Sequence, residues 1–482
     1  MKRRILLVCL CANAAFAQLA LDQKLSDFQN LAGLYAKNYG PADWKLTALG
    51  VDLFNLKPWL DKVRATKNDL EFYDVMIEYV ASLDDAHDGY SVPSGFAARL
   101  NFTVDLYDGK PIVDFINRTR LPANEFPFQI GYELVSIDGK DAGQLITEYM
   151  KYGVAANPRS TRRFAASYLT ARFQSVIPFA PEVGEIATVV FRHPRGVLET
   201  YRIPWTKTGL PLTAVGPVPT PSSVAPDSSF AKTRLSVAER FPGAPDYMLP
   251  LLELQLCELP IRPSVREQAV LNFGGRSPIF AMPDDFVQRL GRVANDVYFS
   301  GTFEAGGYRI GFIRIPSFAP SDLNLAVNQF ANEILFMQAN TDGLILDDMR
   351  NPGGFVSLVN TLASWVIPYR HRTLGFELRA TSNWVAQISS ALESARAQGA
   401  PQWVIDLLGS IYNAIATANS EFRGTTGPLP LDDVTLDRDP PMLPDGRVLA
   451  YSKPLMVLVD ELSASGGDAF PATIQDNKRG LI

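Results

Sequence analysis

The chain has 482 residues, a length that corresponds to about three domains of ~150 residues and excludes a single small domain. Hydrophobic residues make up 47% and charged residues 20%, as in a soluble globular protein, which excludes disorder along the whole length. Acidic residues number 51 against 45 basic ones, whereas proteins that bind phosphate backbones carry a basic excess. We therefore expect no nucleic-acid partner.

The first 17 residues predict a secretory signal peptide. Three basic residues at positions 2–4 precede an apolar run over residues 5–12, and small residues around Ala17 fit a cleavage site before Gln18. The apolar run is shorter than the ~20 residues that span a bilayer, so we expect no stable membrane insertion. The protein should be secreted, or periplasmic if the host is Gram-negative.

The mature chain divides into four segments by pattern. Apolar residues recur every three or four positions up to residue 83, as in amphipathic helices, and short alternating runs typical of strands begin at residue 102. Eight prolines within residues 211–250 disfavour both helix interiors and central strands. The predicted segments are a helical N-terminal region (18–95), a β-rich module (96–206), a proline-rich insertion or linker (207–300) and an α/β core (301–482).

The last segment alternates strands and helices. Apolar runs over residues 308–315, 343–347 and 454–459 predict strands. Each is followed by a helical pattern, the first with Ser321 as its predicted N-cap. Two further helices are predicted over residues 384–396 and 403–419. This order indicates an α/β fold with a largely parallel sheet.

Two glycine turns follow strands of this sheet, where the active sites of open α/β sheets collect. The first is Asn-Pro-Gly-Gly at residues 351–354, and the second is Ser-Gly-Gly at residues 465–467. Glycines leave backbone N–H groups open to an oxyanion, although the first turn could also be only a tight turn. Ser465 at a strand-to-helix turn meets the requirement for a nucleophile, but it could equally cap the helix.

A serine nucleophile needs a base, and the chain holds three histidines. His193 precedes a proline in a predicted hairpin turn, and His371 stands between two arginines in a predicted solvated patch. His87 follows the helical region and is the best candidate, although a lone histidine is more often structural.

Metal and cofactor chemistry is not indicated. Asp347 with Asp348, and Asp460 with Glu461, could hold a divalent cation, but acids at strand ends are more often solvated or capping groups. Cys257, the one cysteine outside the signal peptide, lies in no recognisable motif and is predicted to be a packed thiol. Since zinc, P-loop and dinucleotide motifs are missing from the sequence, we expect neither a metal nor a cofactor.

Four segments resemble the C-terminal-processing, or tail-specific, serine peptidases of family S41. The likeness is closest to the branch of the chlamydial protease-like activity factor and the tricorn proteases. One segment, Gly-Tyr-Glu-Leu-Val-Ser-Ile-Asp-Gly-Lys, looks like the β-turn of a PDZ-like module and falls in the β-rich segment. The matching segments are residues 85–89, 131–140, 343–354 and 465–480.

The resemblance implies a serine endopeptidase and assigns roles to residues. Ser465 would attack the scissile carbonyl and His87 would take its proton. The N–H groups of Gly466 and of Gly353 or Gly354 would form the oxyanion hole. The PDZ-like module would position a polypeptide substrate, in a multidomain α/β protein that needs no cofactor.

Two other functions stay open at the level of sequence. One is a catalytically inactive S41-fold protein that binds a peptide or another ligand, and the other is a serine–lysine peptidase in which His87 is structural. The oligomeric state, a homo-oligomer included, is also open, as is autoinhibition by the proline-rich segment.

The sequence departs from the family in two places. Arg350 stands one position later than the arginine that usually follows the first signature. The family's remaining catalytic group, a glutamate or a lysine, lies beyond the serine segment, and Ile482 comes only 17 residues after Ser465. The resemblance therefore predicts a core truncated at its C-terminus, with the third catalytic residue beyond Ile482.

Overall fold

The structure is a computed structural model of the chain. It describes residues 18–214, 241, 243–258 and 272–482, and for residues 257 and 258 it describes the backbone alone. The predicted signal peptide, much of the predicted proline-rich segment and the side chain of Cys257 therefore lie outside the described residues.

Four helices open the described chain and pack through their apolar faces. They are α1 (Leu21–Asn38), α2 (Ala42–Leu49), α3 (Lys57–Ala65) and α4 (Asp69–Ala81). Phe28 of α1 is fully buried and meets the ring of Tyr79 of α4 edge-on, with the centroids 5.0 Å apart. Asn68 caps α4 by accepting a hydrogen bond from the N–H of Glu71. The predicted helical region is confirmed, and it ends just before His87.

A β-rich region follows, and it shares one apolar core with these helices. Its elements are β1 (Ala97–Arg99), β2 (Phe102–Tyr107), β3 (Lys110–Ile116), β4 (Glu133–Ile137), β5 (Lys140–Asp141), α5 (Ala142–Tyr149), a 3₁₀ turn (Met150–Tyr152), α6 (Pro158–Ser167), β6 (Ala171–Phe173), a 3₁₀ turn (Ala180–Glu182), β7 (Ile186–Arg192), β8 (Leu198–Pro204) and β9 (Thr206–Thr208). The main antiparallel sheet has the order β2-β3-β4-β7-β8, with β5 paired to β4, and a smaller sheet has the order β6-β1-β9. In the shared apolar core, the ring of Phe128 stacks on the ring of Phe191 of β7, with the ring centroids 4.4 Å apart.

The remaining elements belong to the core and to a helical hairpin beside it. They are a 3₁₀ turn (Asp246–Met248), α7 (Leu249–Gln255), β10 (Leu256–Glu258), β11 (Val287–Leu290), β12 (Phe299–Ala305), β13 (Tyr308–Arg314), α8 (Leu323–Asn340), β14 (Gly343–Asp347), β15 (Gly353–Phe355), α9 (Val356–Ser364), β16 (His371–Arg372), α10 (Ser382–Ala397), α11 (Gln402–Ser420), β17 (Asp437–Arg438), β18 (Leu455–Leu458) and α12 (Gly466–Asp476). Helices α10 and α11 form the hairpin and bury their own apolar cluster around Leu408 and Ile411. The predicted α/β core is confirmed.

The core sheet has the strand order β11-β12-β13-β14-β18. β13, β14 and β18 run parallel, and a parallel bridge joins Met456 of β18 to Leu481. β11, β12 and β13 run antiparallel, so the sheet is mixed. Its parallel half, where the strands are followed by helices, contains the ends of β14 and β18.

Helix α8 differs from the prediction at its start. Its N-cap is Asp322 and not Ser321, because the Asp322 carboxylate accepts a hydrogen bond from the N–H of Leu325 at 2.9 Å. Among the helices that the structure describes, none has both the length and the apolar character needed to cross a membrane.

Candidate active site

Ser465 stands at the turn between β18 and α12, in the N-cap position of the helix. Its backbone has φ 56° and ψ −114°, a left-handed conformation that costs a residue with a Cβ about 1–3 kcal/mol. Its side chain forms no capping hydrogen bond to the helix. The alternative of a simple helix cap is therefore not what the structure contains.

His87 lies in the loop after α4 and meets Ser465 across 378 positions of the sequence. Its Nε2 is 2.9 Å from Ser465 Oγ, within hydrogen-bond distance. Its side chain is 47% exposed, so a substrate can reach the pair from solvent. The structure thus brings together the two side chains for which the sequence predicts catalytic roles.

Asp85 lies two residues before His87 and is largely buried. One carboxylate oxygen, Oδ1, accepts the backbone N–H of His87 at 2.9 Å and lies 3.6 Å from His87 Nδ1. The other, Oδ2, accepts the Tyr39 hydroxyl at 2.7 Å. Burial alone would raise the pKa of Asp85, but the contacts with His87 and Tyr39 outweigh burial and hold this pKa below its ordinary value.

The two glycine turns are in contact. A Cβ built on Gly466 would lie 3.0 Å from the backbone N of Gly354 and 3.1 Å from Gly353 Cα, so a side chain at Gly466 would push the turns apart. The N–H of Gly353 donates to Asn351 Oδ1 at 2.9 Å. Gly466 thus lies close to both Gly353 and Gly354, and the oxyanion-hole role stays a prediction for all three glycines.

Asn351 connects the two turns. Its amide Nδ2 donates to Ile315 O at 3.0 Å and to Asp348 Oδ1 at 2.7 Å, and its Oδ1 accepts from Gly353. Its backbone carbonyl accepts the N–H of Ala464, next to Ser465, at 2.9 Å. The buried side chain of Asn351 therefore fixes the shape of the first turn, and its backbone carbonyl links that turn to the second.

Asp347, the last residue of β14, and Asp348 are not solvated, but Asp347 caps the turn that follows, as the other alternative predicted, because its Oδ1 accepts the N–H of Met349 at 3.1 Å. Asp347 and Asp348 are fully buried, and Asp347 forms an ion pair with Arg314 at 2.9 Å in which both side chains are 0% exposed. Asp460 and Glu461 both pair with Arg163. Among the described residues, no group of three or more His, Cys, Asp or Glu side chains is placed to hold a metal ion.

The other histidines lie away from Ser465. His193 lies in the turn between β7 and β8 and donates its N–H to Val197 O, as predicted. His371 is 3% exposed in β16, which pairs with β17, so its predicted place in a solvated patch is wrong. Burial lowers the pKa of His371.

A cavity of about 330 Å³ opens beside Ser465 and His87. Its walls are mainly apolar, and its largest apolar residues are Phe164, Val356, Val359, Leu374 and Phe376. Asn157, Asn360 and Asp468 supply polar groups. A cavity with such walls can receive an apolar side chain of a bound chain.

Comparison with models of known protein families finds two matches in the chain. Residues 309–482, which include both glycine turns, match the model of peptidase family S41, and residues 97–211 match a PDZ domain model. The chain contains a peptidase S41 domain and a PDZ domain. The S41 match supports a serine-type peptidase that acts on polypeptides.

Relatives and solved structures are similar to this chain over most of its length. A protein of Chlamydia pneumoniae is 23% identical over 96% of this chain and 78% of its own length, and a protein of Chlamydia trachomatis serovar D is 24% identical over 96% and 80%. The structure of mature CPAF complexed with lactacystin has a TM-score of 0.70 at 20% identity and covers 96% of this chain and 84% of its own. Mature CPAF alone gives the same TM-score and identity. These structures show a shared fold.

Sequence reasoning missed Asp85 and the side chain of Asn351. Both residues lie in segments that resemble the family, residues 85–89 and 343–354. The signal for Asp85 is a carboxylate two residues before the candidate base. The signal for Asn351 was a short amide two residues before an N–H that needs an acceptor.

Proposed function

We propose that this chain is an exported serine endopeptidase that hydrolyses polypeptides through Ser465, with His87 as the general base. The observation that carries the proposal is the 2.9 Å contact between Ser465 Oγ and His87 Nε2, made by a serine in a left-handed conformation at the start of a helix. A half-buried serine held on a sharp turn in this way has the strand-to-helix placement that a nucleophile needs.

The geometry supports acylation followed by hydrolysis. With its proton on Nδ1, His87 accepts the Ser465 proton at Nε2 while Oγ attacks the scissile carbonyl. The imidazolium then gives that proton to the leaving amine, and the same nitrogen activates the water that cleaves the acyl-enzyme. The N–H groups of Gly466 and Gly354 are the donors that we propose for the oxyanion, with Gly353 shaping the turn.

Further features support a polypeptide substrate. The apolar cavity beside Ser465 suits one apolar substrate side chain, and the PDZ domain can add a bound strand to its sheet. Of the described residues that line the cavity, none is a lysine, which favours His87 over a serine–lysine pair. We propose export on the basis of residues 1–17, to be checked by N-terminal sequencing, for which we expect a mature protein that begins at Gln18.

The test is hydrolysis of casein by the purified protein. We expect Ser465→Ala and His87→Ala each to lower the rate by at least about 10³-fold, because the two residues act as one unit. Ser452→Ala, which changes a serine bound to Gln338 far from the turn, should leave the rate unchanged. Full activity of His87→Ala would favour a serine–lysine mechanism, and casein binding without cleavage by the wild type would favour the binding protein.

A further inference from the structure

We propose that Asp85, held by Tyr39, is the positioning residue that orients the His87 imidazole for proton transfer. This inference rests on the proposed roles of Ser465 and His87. It assigns an orienting carboxylate to the histidine loop itself, in addition to the third group that the resemblance predicts after the serine segment.

The first argument is the distance between the carboxylate and the ring. Asp85 Oδ1 is 3.6 Å from His87 Nδ1, on the side of the ring opposite to Ser465. The same oxygen accepts the His87 backbone N–H at 2.9 Å, which fixes the carboxylate relative to the residue that it serves. At 3.6 Å this contact is longer than a hydrogen bond, and catalytic contacts of this kind often tighten only when substrate binds.

The second argument is the way in which Asp85 is held. Tyr39, the residue after α1, donates its hydroxyl to Oδ2 at 2.7 Å, so Oδ1 is left to His87. Burial and the neighbouring Asp85 raise the pKa of Tyr39, so its hydroxyl keeps the proton that it donates. The contacts of Asp85 hold its pKa below the ordinary range, and the carboxylate is therefore ionised at neutral pH.

This arrangement has a defined effect on the reaction. A carboxylate beside Nδ1 favours the tautomer with the proton on Nδ1, which leaves the lone pair of Nε2 for the Ser465 proton. When Nε2 takes that proton, the negative charge of Asp85 stabilises the imidazolium. The proton then leaves from Nε2 to the amine, and Asp85 gains no proton at any step.

The structure offers a matched control on the same two elements. One helical turn earlier on α1, Tyr35 donates its hydroxyl to Asp88 at 3.3 Å. Asp85 and Asp88 thus lie in the same loop. Each accepts a hydrogen bond from a tyrosine hydroxyl, Asp88 from Tyr35 within α1 and Asp85 from Tyr39 directly after α1. Asp85 in addition lies 3.6 Å from Nδ1 of the His87 ring.

The experiment compares steady-state hydrolysis of a fluorogenic peptide cut by the wild type. We expect Asp85→Asn to lower kcat by about 10²- to 10⁴-fold with KM within twofold, since the wrong tautomer impairs chemistry and not binding. Tyr39→Phe should lower kcat by about tenfold, because one hydrogen bond to the carboxylate is lost. Asp88→Asn and Tyr35→Phe should leave kcat within about twofold of wild type.

Three outcomes overturn the inference. The first is an Asp85→Asn variant with the kcat of wild type. The second is an equal loss of kcat in Asp85→Asn and Asp88→Asn. The third is an Asp85→Asn variant in which only KM rises. If Asp85→Asn does not fold, as judged by its unfolding midpoint, Tyr39→Phe against Tyr35→Phe decides the question. Failure of the proposed function is distinct, because His87→Ala would then retain activity whatever the Asp85 variant does.

Discussion

At the scale of single residues, the neighbours Asp347 and Asp348 have very different partners. Asp347 faces the guanidinium of Arg314, whereas Asp348 contacts the amide of Asn351 and its Oδ2 has no hydrogen-bond partner among the described residues. Complete burial raises the pKa of Asp348 well above its ordinary value. The Asp348 carboxyl therefore keeps its proton at pH values at which an exposed aspartate is ionised.

A pH series on Asp348→Asn tests this protonation state. The native state binds the Asp348 proton more tightly than the unfolded chain, whose aspartates titrate near about pH 4. The contribution of Asp348 to stability is therefore present below that pH and is lost as pH rises towards the raised native pKa. We expect the free energy of unfolding of wild type, relative to Asp348→Asn, to fall as pH rises above about 4 in urea titrations. Parallel pH curves would show that Asp348 is ionised in the native state.

The surroundings of single residues were the hardest feature to predict from the sequence. His371 is buried, against the prediction of a solvated patch, and Asp347 and Asp348 are buried where the sequence left solvated and capping groups open. The groups that bury them are distant in the sequence. His371 is paired with Arg438 on the neighbouring strand, and Asp347 forms an ion pair with Arg314. Contacts of this kind leave no local pattern in the sequence, so burial of a charged residue cannot be deduced from its neighbours.

At the scale of elements, the glycine turns depend on close backbone packing. Gly354 has φ 146°, and a Cβ at this position would lie 2.1 Å from the carbonyl carbon of Phe318, far inside contact distance. The turn can be filled only by a residue without a side chain. Gly409 of α11 differs, because a Cβ there would meet nothing within 4 Å.

We expect Gly354→Ala to displace the first turn and to lower kcat/KM for peptide hydrolysis at least about tenfold, with a lower free energy of unfolding. Gly409→Ala should leave hydrolysis unchanged and stabilise the protein by about 0.5–1 kcal/mol, because alanine is the better helix former. Activity assays and urea unfolding measure both. Equal activity of the two variants would contradict the proposed role of Gly354 in the oxyanion hole.

Elements were predicted well where one pattern ran without interruption. β14 and β18 are continuous apolar strands, and the Ser-Gly-Gly run marked the start of α12. β12 was missed, although Gly306 and Gly307 join it to β13 with φ 60° and 82° in a two-residue hairpin. Two glycines between alternating runs are the signal that could have revealed this antiparallel half of the sheet.

At the scale of the whole molecule, a buried ion cluster joins the PDZ domain to the S41 domain. Asp105 of β2 pairs with Arg163 of α6 at 2.8 Å and with Arg350 of the core at 2.9 Å. Arg163 also reaches Asp460, after β18, at 2.9 Å. All four side chains are at most 8% exposed, and the cluster lies next to the loops that carry the nucleophile.

Removal of Asp105 should loosen this joint. Asp105→Ala removes a negative charge that neutralises the buried guanidinium groups of Arg163 and Arg350. We therefore expect the free energy of unfolding to fall by about 3 kcal/mol. Hydrolysis should fall as well, because His87 and Ser465 come from opposite ends of the chain. Asp61→Ala, which breaks an exposed pair with Lys57, should leave the unfolding midpoint in place. A stable and fully active Asp105→Ala variant would argue against the cluster as the joint.

The order of segments along the chain was predictable from the sequence, but the ion cluster that connects the PDZ domain to the S41 domain was not. The sequence showed that Arg350 stands one position away from the family's usual arginine. The partner of Arg350 became visible only in the fold, where its guanidinium donates to Asp105, 245 positions earlier. The same holds for the site, because the sequence supplied Ser465 and His87 as candidates and the fold supplied their contact.

The most direct test of the account is covalent labelling by a fluorophosphonate probe, read by mass spectrometry of the tryptic peptides. We predict one adduct per chain, on the peptide that contains Ser465, and no adduct on the Ser465→Ala variant. Undiminished labelling of Ser465→Ala, or an adduct on another peptide, would contradict the assignment of Ser465 as the nucleophile.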